Sequence, residues 1–486
     1  MKKIISIILC VIMAFSLFSC SKGKEKSNTA SSSSFKLPYL SSDSLSPYKC
    51  KSEVNFKLAG LLYDGLFKMS ADRNPQKVLA GQYSFQDKVI TVNLKSAKFS
   101  DGSTVSSEDV VYSFEKAKAS DRFSAALTPI ATAQKKGSSV IRFTLGSADV
   151  YALNLLTFPI ISKSSQTGTG RYAAERKDDG TTLVYNKYHN GDKPQIEKIE
   201  LCECADYSGA VNLLNNGKID YLFDELENGN IRSSTGKSQP AKMNNLIFIG
   251  INANRPVLKN THFRRGIAHA INQKKLASDA FETYAFPTAT PFDPDWSDMG
   301  SVVATTVLSD TAEAKDAFLD SGLKYDKLGV NLLGDDGKQI KLNLIVNSAN
   351  NMKIAAAEEI KAQLINCGII VEIQKMPLDE YNIAIENGNF DLYLGEVKIA
   401  NDFSLDCFFG SGGADFGINS KKLRVSYKNF ISGECSLQDF VSAFCDENPF
   451  VPLAYKAADA CANSALEADL QVSENDIYNG VEGWSI

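Results

Sequence analysis

Few residues in this chain of 486 could do chemistry, and they are scattered. Three histidines occur, His189, His262 and His269. His262 and His269 fall on one helical face, but no third ligand follows at a metal-site spacing. Neither a G-x-S-x-G elbow nor an H-E-x-x-H helix is encoded, so the common serine-hydrolase and zinc-protease arrangements are missing. Asp335-Asp336-Gly337 begins like a calcium loop but lacks the later acidic positions, and a hairpin-type turn is expected there. Asp224, Glu225 and Glu227 form an acidic cluster expected to lie in a solvated loop. Ten cysteines are present, yet Cys202-x-Cys204 lacks the two-residue gap of a zinc or redox pair, and spacing assigns no disulfide. Excluding Cys10 and Cys20, the rest are expected to be buried free thiols. A non-enzyme without metal or cofactor is the expectation.

Length and composition narrow the remaining classes. A chain this long divides into two or three domains, and 44% hydrophobic with 22% charged residues is globular composition. A net charge of -5 argues against nucleic acid as partner, whose phosphates call for a basic surface. Lys2 and Lys3 precede an apolar run, Ile4 to Phe18, shorter than the ~20 residues of a membrane span. Leu17-Phe18-Ser19-Cys20 resembles a bacterial lipobox. Residues 1–19 are therefore expected to be a signal peptide and Cys20 the acylated first residue of the mature chain. Residues 20–35, rich in Ser and Lys, cannot bury enough apolar surface to offset chain entropy and are expected to be a flexible tether.

The elements that would position a site are legible further on. Ile90, Val92 and Leu94 alternate with polar residues as in a half-buried strand. Asp101-Gly102 has turn chemistry, Ser106 with Asp109 reads as a capping box, and Val110, Val111, Phe114 and Ala117 share a helical face. The bracketing glycines of Gly168-Thr-Gly-Arg-Tyr172 predict close backbone approach or unusual dihedrals. Leu246 to Asn252 is a strongly apolar strand. A strand over Ile340–Val346, a helix over Lys353–Asn366 ended by Cys367-Gly368, and a strand over Ile369–Ile373 make a βαβ unit, so its strands should be parallel.

Together these stretches resemble a known family. Phe99-Ser-Asp-Gly followed by Asp109-Val110 and Ser113 resembles the F-x-D-G…D-V-x-x-S signature of family 5 extracellular solute-binding proteins. The same order continues through Leu62-Tyr-Asp-Gly-Leu66, Gly168-Thr-Gly, Gly217-Lys-Ile-Asp220, Phe263-Arg264 with Ile267 to Asn272, Gly388-Asn-Phe-Asp391 and Pro449 to Tyr455. The resemblance implies an α/β, two-lobed periplasmic-binding-protein-like fold (type II, cluster C-like) with an extra small inserted α/β domain. It implies a discontinuous lobe I over 36–50, 155–245 and 454–486, an inserted domain over 51–154 and lobe II over 246–453. By the same resemblance the chain would bind a small peptide and deliver it to the permease and ATPase subunits of an ABC importer. It would act as a monomer, lipid-anchored on the outer face of the bacterial cytoplasmic membrane. Asp402, paired with Phe403, matches the position of the family's ammonium-binding aspartate, with Asp406 as the second candidate. Glu396 stands where the family often has tryptophan, and no arginine lies between Asn347 and Met352, where some short-peptide binders hold a carboxylate. Other ligands (a nickel chelate, haem, an oligosaccharide) or a sensor role keep the same fold. A secreted hydrolase is the remaining class.

Overall fold

Two long antiparallel strands, Lys237–Ile251 and Phe450–Ala462, run through the centre of the computed structural model. Residues 34–177, 180–231, 236–303, 309–410 and 420–486 are described, and the expected leader, Cys20 and the tether up to residue 33 lie outside them. From Leu246 onward the first strand alternates strictly. Ile247 and Ile249 enter one core while Leu246 and Phe248 enter another, as a period of two requires. Before that point Ala241 and Met243 join a third core with Phe35, Tyr172, Tyr221 and Trp484. Each strand thus passes from one lobe to the other. Their register breaks between Lys242 and Leu246, so the ladder is irregular where the lobes meet.

Around this pair the main sheet has the order Tyr221–Asp224, Phe450–Ala462, Lys237–Ile251, Leu392–Lys398, Lys341–Asn347 and Ile370–Met376, with Ala285–Pro287 paired to Phe450–Ala462. Lys341–Asn347 is parallel to Ile370–Met376, and the helix Asn351–Ile365 crosses between them, the βαβ unit expected from the sequence. Gly368 at φ +83° ends the crossover in a conformation that favours glycine. In the other lobe Phe35–Tyr39 pairs in parallel with Lys198–Glu203 at the edge of an otherwise antiparallel four-stranded sheet.

The small domain is an antiparallel sheet of Ala80–Gln86, Val89–Leu94, Val140–Leu145 and Ile130–Lys135, covered by the helix Ser107–Lys118. Ser106 and Asp109 cap that helix reciprocally. Its Val110, Phe114 and Ala117 pack with Ile90, Val92 and Phe143. Fully burying a side chain of this kind contributes roughly 1.5–3 kcal/mol. Gly168 and Gly170 lie against the end of the helix Glu53–Leu62. An added Cβ would stand 2.1 Å from the Leu62 carbonyl oxygen at the first and 2.3 Å from the Leu62 carbonyl carbon at the second.

Candidate ligand cleft

A cleft of about 1410 Å³ opens beside the crossing strands, with walls from the small domain and both lobes. Asn244, at the register break, lies on its floor together with Asn401 and Glu474. The walls carry charges of both signs. Lys57 pairs with Glu225 at 2.8 Å, Arg122 with Glu53 at 2.7 Å, Arg171 with Glu482 at 3.1 Å, and Lys398 with Glu474. Burial alone would raise the Glu225 carboxyl, but the ammonium of Lys57, helped by those of Lys398 and Lys456, holds it low. Such fixed, mutually oriented charges suit a zwitterionic or polar ligand better than an apolar one.

The loop after strand Leu392–Lys398 carries the aspartates singled out from sequence. Asp402 is 2% exposed yet borders the cleft, and its Oδ1 accepts from the Ser404 amide at 3.1 Å. Burial pushes both Asp402 and the neighbouring Asp149 of the small domain upward, and Asp402 raises Asp149 further by like-charge repulsion. Phe403, at φ +60°, turns away from the cleft and stacks on Trp296 with ring centroids 3.8 Å apart. Asp406 is exposed at the start of the short helix Asp406–Phe409 and accepts from the Tyr427 hydroxyl at 3.0 Å. The small domain is tied to this loop, because Asn154 Nδ2 donates to the Asn401 carbonyl at 2.8 Å and the Tyr151 ring meets both Trp296 and Phe403.

Glu396 sits one step back from the cleft. Burial alone would raise its carboxyl. Lys353 at 2.7 Å, Lys456 at 3.6 Å and a hydrogen bond donated by Asn245 at 2.6 Å override that effect and hold its pKa at about 2.

Other candidates from sequence resolve differently. The acidic cluster is not a solvated loop: Asp224 is 4% exposed at a strand end and Glu225 is drawn to Lys57, while Glu227 alone of the three is exposed. The reason is topological, since Asp224 pairs with Asp459 in the central sheet. His262 is exposed beside Arg265, and His269 is half-buried 3.6 Å from Glu313. His189 reaches the cleft, its Nδ1 3.1 Å from the Thr169 carbonyl. The eight described cysteines are all free, with Cys50, Cys204, Cys367 and Cys461 buried. Asp335-Asp336-Gly337 is the expected turn, Gly337 having φ +74°. Sequence reasoning passed over Asn244, Lys398 and Glu474. The one signal was Lys242-Met-Asn-Asn245, a polar break ahead of an apolar strand.

Residues 75–414 match the family model described as "Bacterial extracellular solute-binding proteins, family 5 Middle". The oligopeptide-binding protein AppA of Bacillus subtilis is 20% identical over 550 residues, covering 99% of each chain. A putative ABC transporter peptide-binding protein of Brucella ovis is 22% identical over 223 residues, a match spanning 40% of this chain and 42% of that relative. Among solved structures, Bacillus subtilis AppA in complex with a nonapeptide superposes with a TM-score of 0.58 at 17% identity, covering 93% of this chain and 97% of that one. NikZ from Campylobacter jejuni in complex with Ni(L-His) does so at 0.63 and 18% identity, covering 93% and 99%. Among the described residues no helix is long and apolar enough to cross a membrane. With two lobes joined by crossing strands, a cleft beside them and a family match over most of its length, this chain belongs to the family 5 bacterial extracellular solute-binding proteins.

Proposed function

We propose that this protein captures peptides in its cleft and delivers them to the permease of an ABC importer while held at the outer face of the cytoplasmic membrane by acyl chains on Cys20. The observation that carries the reading is the cleft itself. Its volume of about 1410 Å³ exceeds the roughly 300–1,000 Å³ of ordinary small-molecule pockets, and its walls are lined with paired charges. An extended chain of peptide units, with its backbone donors and acceptors, has the size and polarity to fill it. The names borne by the Bacillus and Brucella relatives agree with a peptide ligand. Asp402 is the proposed partner of the peptide ammonium, and Asp406 would add negative potential at the same wall. Lobe I would comprise 36–50, 155–245 and 454–486, the inserted domain 51–154 and lobe II 246–453. Ligand contacts made only with the lobes closed would shift the population toward closure, with the crossing strands as hinge.

A second reading, a non-peptide solute such as a metal chelate, rests on the fold shared with the Ni(L-His)-binding protein. One experiment separates them. Ligand that binds the native state raises the melting temperature. A library of short peptides should therefore do so, and Asp402→Asn should weaken peptides with free amines while sparing N-acetylated ones. No shift with any peptide refutes the peptide ligand. A variant that keeps the wild-type preference for free amines over N-acetylated peptides removes Asp402 from the role.

A further inference from the structure

The cations along the cleft fall into two sets. Lys57, Lys68, Arg122, Arg171 and Lys398 each have a carboxylate partner, in Glu225, Asp476, Glu53, Glu482 and Glu474. Lys77, Lys95 and Lys98 also line the cleft but have no such partner among the described residues. Lys95 Nζ donates to the Lys77 carbonyl at 3.2 Å, while Lys77 and Lys98 lie over the rings of Tyr83 and Tyr188 at 5.6 and 5.4 Å.

Lys95 meets the backbone of Lys77, and Lys98 follows Lys95 by three residues along the same wall. Lys77 ends the strand Pro75–Lys77, Lys95 follows the strand Val89–Leu94, and Lys98 is fixed by its bridge to Thr104. All belong to the small domain, whereas Asp402 and Asp406, carboxylates without a lysine or arginine partner among the described residues, belong to the loop beyond strand Leu392–Lys398. The small-domain wall carries one carboxylate without a lysine or arginine partner among the described residues, Asp64, which accepts from Thr169 Oγ1 at 2.8 Å and lies 3.9 Å from His189 Nδ1, so with three such lysines that wall is net positive and the loop wall negative. Uncompensated cations grouped in a cleft raise the local potential and draw anions to that place.

We infer that Lys77, Lys95 and Lys98 form a carboxylate subsite that sets the orientation of the bound ligand. Resting on the peptide reading above, the carboxylate is either the peptide's terminal group or an acidic side chain. Ammonium–carboxylate hydrogen bonds are stronger than neutral ones, but these lysines are exposed, so each should change affinity by at most about fivefold.

The test uses the full chain and the variant carrying Lys77→Gln, Lys95→Gln and Lys98→Gln, with alanine peptides in three forms: free carboxylate, C-terminal amide, and amide with an internal glutamate. Dissociation constants at low salt should favour a carboxylate-bearing form over the plain amide about five- to tenfold in the wild type. That preference should collapse in the variant, with plain-amide affinity unchanged. A gain for the free-carboxylate form alone assigns the terminal group, and a gain for the glutamate form assigns a side chain. Equal binding of all three forms by the wild type, or a preference that survives in the variant, overturns the subsite while leaving the peptide reading intact. Binding of none of the three forms overturns both. The substituted side chains are exposed, and an unchanged melting temperature of the variant excludes misfolding as the cause.

Discussion

Replacing Glu396 by glutamine should destabilise the protein strongly at neutral pH and only weakly in acid. In the folded chain its carboxyl titrates at about 2, against an ordinary 4.5, because Lys353 and Lys456 together outweigh the effect of burial. The sign follows from linkage. A depressed carboxyl pKa adds stability that is fully present above the unfolded value and is lost as pH falls toward the folded one. A difference of this size corresponds to about 3 kcal/mol at pH 7 and about 1 kcal/mol at pH 3. The side chain is 15% exposed, so solvent screening removes little of it. Glutamine preserves shape and can still accept from Asn245, but it leaves Lys353 and Lys456, 15% and 13% exposed, without their counter-charge. Urea unfolding of wild type and Glu396→Gln across this pH range reads the difference directly. If the gap between the two proteins is the same at both ends of the range, the carboxylate is not held by its lysines and the reasoning fails.

Two further outcomes are expected. Asp149→Asn should raise the melting temperature at pH 8 and leave it unchanged near pH 3, because burial raises the Asp149 pKa and the ionised form is the costly one. The stability linked to its proton is present below the unfolded pKa and lost as pH rises, and a variant without gain in mild alkali would refute this. Gly168→Ala should lower stability by about 1–3 kcal/mol or more in a denaturant titration, since the new methyl meets the Leu62 carbonyl at 2.1 Å; a neutral effect would mean the helix end yields freely.

Much of the scaffold was legible from residues near one another in the chain. The capping box of Ser106 and Asp109, the alternation of Ile90 and Val92, the glycine stop at Gly368 and the parallel βαβ unit depend on spacings of a few to about thirty residues. The two-lobed α/β architecture was expected from the ordered resemblance and is the one observed. The crossing strands were seen only in part. Lys237–Met243 and Lys456–Ala462 do not read as apolar strands in isolation, because they are rich in polar residues and alanine and are held by pairing with each other.

The cleft's electrostatics belonged to tertiary structure alone. Lys57 meets Glu225 across 168 positions, and Glu396 is flanked by lysines from a helix and from a crossing strand. Asp402 was singled out by resemblance alone, and its burial beside Asp149 of the small domain was not legible from the residues around it. The physical reason is common to all three. Hydrophobic periodicity records which face of an element is buried, whereas the partner and protonation of a charge depend on distance and desolvation, and chain folding sets both. The amino-acid sequence determined the family and the frame, and the folded chain decided which charges stand alone in the cleft.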